Sequence, residues 1–243
     1  MIDPVAEIQH LLDQCTPNQR RAIFNRLRRE FPIHTLEEKL NTQAEIILEA
    51  ISRAPDLTQR GVRGIIAESV FITEIVGPLK DQGWQDKEIV SEQPYDVLLE
   101  DAQGEVRVQV KMQRLSNHQP TRRKDYPGMF VVETQRTRSG TRRTTGNTEE
   151  KTRPYRFGDF DILAVSLHPS SRNWGDFRYT VAAWLLPRED DPRLLRVHQP
   201  VSPSPNDDWT DSFSEAITWF RSHQTKTIRP HETAAQSSDT VDM

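Results

Sequence analysis

The chain has 243 residues and a formal net charge of −4, with 35% hydrophobic and 28% charged residues. That size suits one large domain, or a core domain with a smaller helical attachment. No run of about 18 apolar residues is present, which excludes a membrane-spanning helix. The opening stretch MIDPVAEIQHLLDQC lacks the basic-then-apolar layout of a signal peptide, and the single Cys15 can close no internal disulfide, so a cytoplasmic protein is expected.

In chain order, residues 1–57 form a helical region. Ile8, Leu11, Leu12 and Cys15 recur at helical spacing. TPNQRRAIFNRLRREFP then offers Thr16 as N-cap, Pro17 at the first helical position and a stop before Pro32. In IHTLEEKLNTQAEIILEAISRAP, Thr35 and Glu38 have capping-box spacing, and an apolar stripe runs through Leu36, Leu40, Ala44, Ile47, Leu48 and Ile51. A further helix begins near Thr58 and stops at Gly77-Pro78, with Glu68 among Ile65, Ile72 and Ile75.

The period then changes to that of strands. EIVSEQ and YDVLLED are short apolar runs, and DAQG is a turn into EVRVQVKMQ. That last stretch sends Val106, Val108, Val110 and Met112 to a core, and Glu105, Arg107, Gln109, Lys111 and Gln113 toward water. GMFVVETQ, FDILAVSLHP and YTVAAWLLP are expected as further strands, the last ending at Pro187. A Pro-rich connection leads to a last helix over about Thr210 to Arg221, and a polar tail without periodicity, residues 225–243, is expected to be disordered. The order implies an α/β or α+β sheet in residues 58–224 behind a helical N-terminal part.

Charge is unevenly placed. From Arg107 to Arg156 thirteen Lys and Arg stand against four Asp and Glu, a net of +9, so the rest of the chain carries −13. Such a band is equally the mark of a polyanion binder and of a solvated loop region.

A turn at Ala102 to Gly104 places Asp96, at the start of one strand, near Gln109 and Lys111 late in the next. An aspartate beside an amide oxygen can hold a hard divalent cation, and a lysine two residues further along the same strand face can orient a water or offset charge on a phosphate. The same three residues also suit an ordinary polar hairpin face. Glu68, a carboxylate on an apolar stripe, is either at the stripe's edge or a second carboxylate facing the hairpin.

Glu68 on a helix, PYD at 94–96 and QVK at 109–111 resemble the PD-(D/E)xK nuclease superfamily. Tyr95 separates the Pro from the Asp, and Gln109 stands where the pattern has an acid, as in its Gln-x-Lys variant. The wider region of residues 60–190 looks like type II restriction endonucleases.

The resemblance implies a restriction-endonuclease-like mixed central sheet flanked by helices. It implies a Mg2+-dependent enzyme, Mn2+ substituting, that cleaves double-stranded DNA at a short site to leave 5′-phosphate ends. Asp96, Gln109, the Val110 carbonyl and Glu68 would hold the metal, and Lys111 would orient water. Arg114, Arg122, Arg123, Lys124, Arg136, Arg138, Arg142, Arg143, Arg153 and Arg156 would contact DNA, mostly phosphates. A homodimer is the default, with the N-terminal helices as dimerisation unit or DNA clamp and a cognate methyltransferase acting separately.

No Gly-x-x-x-x-Gly-Lys-Ser/Thr loop, Gly-x-Ser-x-Gly elbow or zinc spacing occurs. The rival readings are a DNA-binding module without catalysis, with Gln109 marking a lost site, and a nuclease for modified or branched DNA.

Overall fold

The computed structural model describes residues 3–117, 119–135, 141–143, 149–151 and 154–229. It divides into two compact units, Met1–Val62 and Arg63–Met243, so the division falls inside the fifth helix and not ahead of it.

The first unit holds α1 (Pro4–Gln14), α2 (Pro17–Glu30), α3 (Leu36–Leu40) and α4 (Ala44–Ser52). Thr16 caps α2 in a capping box with Gln19, and Pro17 opens the helix, as the sequence predicts. The expected Thr35–Glu38 box does not form: Thr35 has helical backbone angles and makes no side-chain cap bond. The single long helix expected there is broken at Asn41, whose φ is +48°. The neighbouring Glu37 explains the break. Its carboxylate pairs with Arg28 and accepts from the backbone N–H groups of Ile33 (2.6 Å) and Ala44 (2.7 Å), tying both ends of the turn together. Arg28, with those N–H groups, holds the Glu37 carboxyl down at about 2.

α5 (Asp56–Val70) spans the division and in the second unit continues through a π-helical turn, Phe71–Val76, into α6 (Gly77–Leu79). The buried face of this rod is Ala67, Phe71 and Val76. Ile65, expected on the buried stripe, is 63% exposed. At Gly83, with φ +90°, the chain turns into the first strand.

A five-stranded mixed sheet follows, in the order β1 (Gln85–Lys87), β2 (Val97–Asp101), β3 (Gly104–Met112), β9 (Ile162–Ser166), β10 (Phe177–Val181). Neighbours are antiparallel except β3 and β9, which run parallel with Val110 beside Ala164. The expected strand EIVSEQ is displaced: β1 lies just before it, and Val90 is 92% exposed. YTVAAWLLP is a strand only to Val181 and then a 3-10 turn, Ala182–Trp184.

Between β3 and β9 the chain forms β4 (Leu115–Ser116), β5 (Gln119–Pro120), β6 (Phe130–Glu133), β7 (Thr141–Arg143) and β8 (Glu149–Lys151). β6 pairs with β11 (His198–Val201). α7 (His168–Ser171) and α8 (Phe213–Arg221) complete the described elements.

Alternation along β9 divides the core. Ile162 and Ala164 face a cluster with Phe71, Phe177, Tyr179 and Phe213, while Leu163 and Val165 face one with Tyr155, Phe160, Trp184 and Trp209. β3 is therefore covered on both sides. Its expected wet face is dry at Gln109 (1% exposed) and Gln113 (0%) because the long crossover packs over it.

The polar tail is anchored further than expected. Ile228 is buried and its N–H donates to the Trp184 carbonyl (2.7 Å), and Lys226 lies over the Trp184 ring. Residues 230–243 lie outside the described ones.

The parallel β3/β9 pairing is stitched by Asp161. It takes the backbone N–H (2.8 Å) and two guanidinium N–H groups (3.0 and 2.7 Å) of Arg107. Asp161→Ala leaves that guanidinium and N–H without their acceptor, and a loss on the order of 2 kcal/mol is expected in urea unfolding.

Candidate active site

Three elements bring the site together. The β2–β3 hairpin turns where expected, with the Asp101 side chain accepting from the Gln103 N–H (2.9 Å) and Gly104 at φ +119°. Its register places Val97 opposite Val108, so Asp96 falls beside Gln109 and Val110. The Asp96 N–H donates to the Val108 carbonyl (3.0 Å). One Asp96 carboxylate oxygen accepts from the Val110 N–H at 2.9 Å and from the Gln109 side-chain amide.

Burial pushes the Asp96 carboxyl above the usual aspartate range, against the pull of Lys111, the Val110 N–H and Gln109. Glu68 arrives from α5. Its carboxyl is also raised, by burial and then by the negative charge of Asp96, with Lys111 opposing. Glu68 on α5 thus senses both Asp96, ahead of β2, and Lys111 on β3, and Asp96 senses Lys111. The hairpin alone could not show this.

Gln109 is held by three neighbours. Its oxygen accepts from the Tyr155 hydroxyl (3.0 Å), and its nitrogen donates to Asp96 and approaches the Val110 carbonyl at 3.3 Å. The amide turns its donor end to the aspartate, so it braces Asp96 and offers it no second oxygen.

Tyr155 is a member of the site that sequence reasoning passed over in favour of the arginines around it. It is buried, stands edge-on to Phe160, and carries the Lys111 ammonium 5.5 Å from its ring centre. An aromatic side chain with one polar tip, just ahead of an apolar strand, was the available signal. Tyr155→Phe removes one buried hydrogen bond to Gln109. We expect a loss of about 1 kcal/mol in thermal unfolding and a several-fold drop in any activity that needs Asp96 held still.

Among the described residues no group of three or more His, Cys, Asp or Glu is arranged to hold a metal. The donor set is two carboxylates with the Val110 carbonyl beside them. Mg2+ commonly binds through one or two carboxylates and retains several waters, so these residues fit a magnesium ion that also takes oxygens from a phosphate.

The basic band is partly spent within the protein. Arg114 pairs with Glu133 (3.3 Å) and meets one nitrogen of the His198 ring, while Arg123 pairs with Asp125 (2.7 Å) and approaches the other nitrogen (3.3 Å). Burial and then Arg114 lower the His198 pKa. Arg122 donates to the Gly128 carbonyl and lies 4.4 Å from the Phe130 ring centre, and Lys124 is exposed. Arg156 is held by backbone pairing with Leu194. Arg142 and Arg143 fall in β7, and Arg136, Arg138 and Arg153 lie outside the described residues.

The fold is thus a mixed α+β sheet with flanking helices, carrying paired carboxylates and a lysine at one hairpin. No protein-family model matches the chain, and no curated protein matches it. Among solved structures it has a likeness to a bacterial homing endonuclease, I-Ssp6803I, at 24% identity and a TM-score of 0.29. That likeness covers 50% of this chain and 66% of the other, so the chain spans a little under two thirds of that protein's length.

Proposed function

We propose that this protein is a divalent-cation-dependent DNA endonuclease of the PD-(D/E)xK type, acting as a type II restriction enzyme on double-stranded DNA. The observation that carries the reading is the meeting of Glu68, Asp96 and Lys111. Burial raises the proton affinity of both carboxylates, and Asp96 raises that of Glu68 further, beside one ammonium, which is a site short of positive charge. A structural ion pair would balance its charges; a cation site leaves a deficit.

In this reading Asp96 and Glu68 would hold Mg2+ with the Val110 carbonyl, and the ion would supply positive charge against the negative charge developing on the scissile phosphate. Lys111 orients the attacking water. The water oxygen bonds to phosphorus and gives up a proton to solvent, the P–O3′ bond breaks, and the departing 3′-oxygen takes a proton from solvent, leaving a 5′-phosphate and a 3′-hydroxyl. Gln109, braced by Tyr155, fixes the Asp96 carboxylate, and the exposed Lys124, with Arg122 and Arg123 beside it in sequence, would contact the DNA backbone.

The test is digestion of unmethylated phage and plasmid DNA by purified protein, with Mg2+ or Mn2+ and with EDTA. Discrete fragments that require the metal, with 5′-phosphate ends on sequencing, are expected. Intact DNA together with a retarded band in EDTA would instead make this a binding module, and cutting confined to methylated or junction DNA would change the substrate.

A further inference from the structure

The nitrogen of the Gln109 side-chain amide lies between two of the oxygens suited to a metal ion. It donates to an Asp96 carboxylate oxygen and lies 3.3 Å from the Val110 carbonyl oxygen. A magnesium ion contacts its oxygens at about 2.1 Å, so an ion touching both would displace that NH2 group. The amide cannot step aside into water. Gln109 is 1% exposed, and Tyr155, which holds the other end of the amide, is 3% exposed.

The orientation without an ion follows from which groups donate. A carboxylate and a carbonyl only accept, so the amide turns its NH2 to them and its oxygen to the Tyr155 hydroxyl, at 3.0 Å. A cation on the same two oxygens reverses that preference, because it repels the NH2 dipole and attracts the amide oxygen. Tyr155 permits the exchange, since a phenol both donates and accepts. It donates to the amide oxygen in one orientation and accepts from the NH2 in the other. Asp96 keeps a hold throughout, because the Val110 N–H donates to it at 2.9 Å. Both orientations leave the buried amide partnered at each end, while the rotations between them do not. The side chain therefore has two discrete states.

We propose that the Gln109 amide inverts when a divalent ion binds. Without the ion its NH2 holds the two oxygens; with the ion its oxygen joins Asp96, Glu68 and the Val110 carbonyl, and its NH2 turns to Tyr155. Tyr155 is the positioning residue for both states. This inference rests on the metal-dependent reading above and adds to it the movement of one side chain. It also gives a neutral amide a use that an acid at this position lacks, since its two ends serve the two states of the site.

The experiment is NMR on the full-length protein carrying isotope-labelled glutamine, titrated with MgCl2 and no DNA, beside calorimetric titration with the same ion. The Gln109 NH2 signals are those missing from Gln109→Met, or from Gln109→Glu if the methionine variant does not fold. Magnesium is expected to move these signals and to strengthen their nuclear Overhauser contact with the Tyr155 ring several-fold. Calorimetry is expected to show Gln109→Met binding Mg2+ at least about 10-fold more weakly, because an oxygen ligand is lost. An NH2 that only braced Asp96 would compete with the ion, and its removal would leave binding equal or tighter. That result, or an unchanged Overhauser pattern at Mg2+ saturation, overturns the inversion while the ion site stands. A wild type that binds neither Mg2+ nor Mn2+ at millimolar concentration overturns the metal-dependent reading itself, and the inversion with it.

Discussion

Lys111→Ala is expected to lower the proposed DNA cleavage by about 10³-fold, the scale of removing one preorganised charge from a reacting centre. Among the described residues Lys111 is the ammonium whose charge acts on both Asp96 and Glu68, so its loss leaves two desolvated carboxylates without that charge. Two measurements check the role. Single-turnover cleavage falls while gel-shift binding in EDTA changes less than about threefold, because one phosphate contact among many is a small part of DNA affinity. In thermal melts without metal the variant unfolds below wild type, and added Mg2+ raises its melting temperature by more than it raises that of wild type, since the ion then has the whole deficit to relieve. A variant that cuts at the wild-type rate would remove Lys111 from the chemistry. A parallel loss of binding and cleavage would make it a DNA contact.

Asp96→Asn is expected to abolish the proposed cleavage and, without metal, to stabilise the protein at pH 7 by roughly 2–4 °C, the response of a chain this long to about 1 kcal/mol. The sign follows from burial. The Asp96 carboxyl is raised above its unfolded value, so the folded chain binds that proton more tightly than the unfolded chain does. The group's contribution to stability is fully present below the unfolded aspartate pKa and is lost as pH rises through the folded one. An asparagine oxygen can still accept from the Val110 N–H and Gln109, but it brings no buried charge. Melts in EDTA from pH 4 to 8 should show the variant's advantage growing with pH and closing toward pH 4. Adding Mg2+ should raise the wild type and leave Asp96→Asn unmoved. A variant less stable than wild type at pH 7 would show that Val110, Gln109 and Lys111 more than offset the burial, and the carboxylate would then be a structural anchor.

The hairpin half of the site was legible in the sequence because it is local. The Asp101–Gly104 turn and strict alternation through EVRVQVKM determine the register, and the register places Asp96 against Gln109 and Val110. Thr16-Pro17 was legible for the same reason, since an N-cap and the residues it bonds lie within one turn. Thr35 and Glu38 had the right spacing and failed, because Arg28 and the backbone of Ala44 claimed the intervening Glu37.

What only the tertiary structure decided is which faces are dry and which distant side chains share a site. Gln109 and Gln113 alternate like solvent-facing residues and are buried because the β3–β9 crossover covers them. Glu68 reaches the field of Asp96 from another element, and Tyr155 reaches Gln109 from 46 residues away, which no local period records. In the N-terminal unit the apolar spacing predicted helices, yet the residues it marked are half-buried or exposed and none is buried. Spacing along a chain determines which side chains point the same way. Whether that direction is a core, a reacting centre or a second molecule depends on what packs there, and that is set by contacts far apart in sequence.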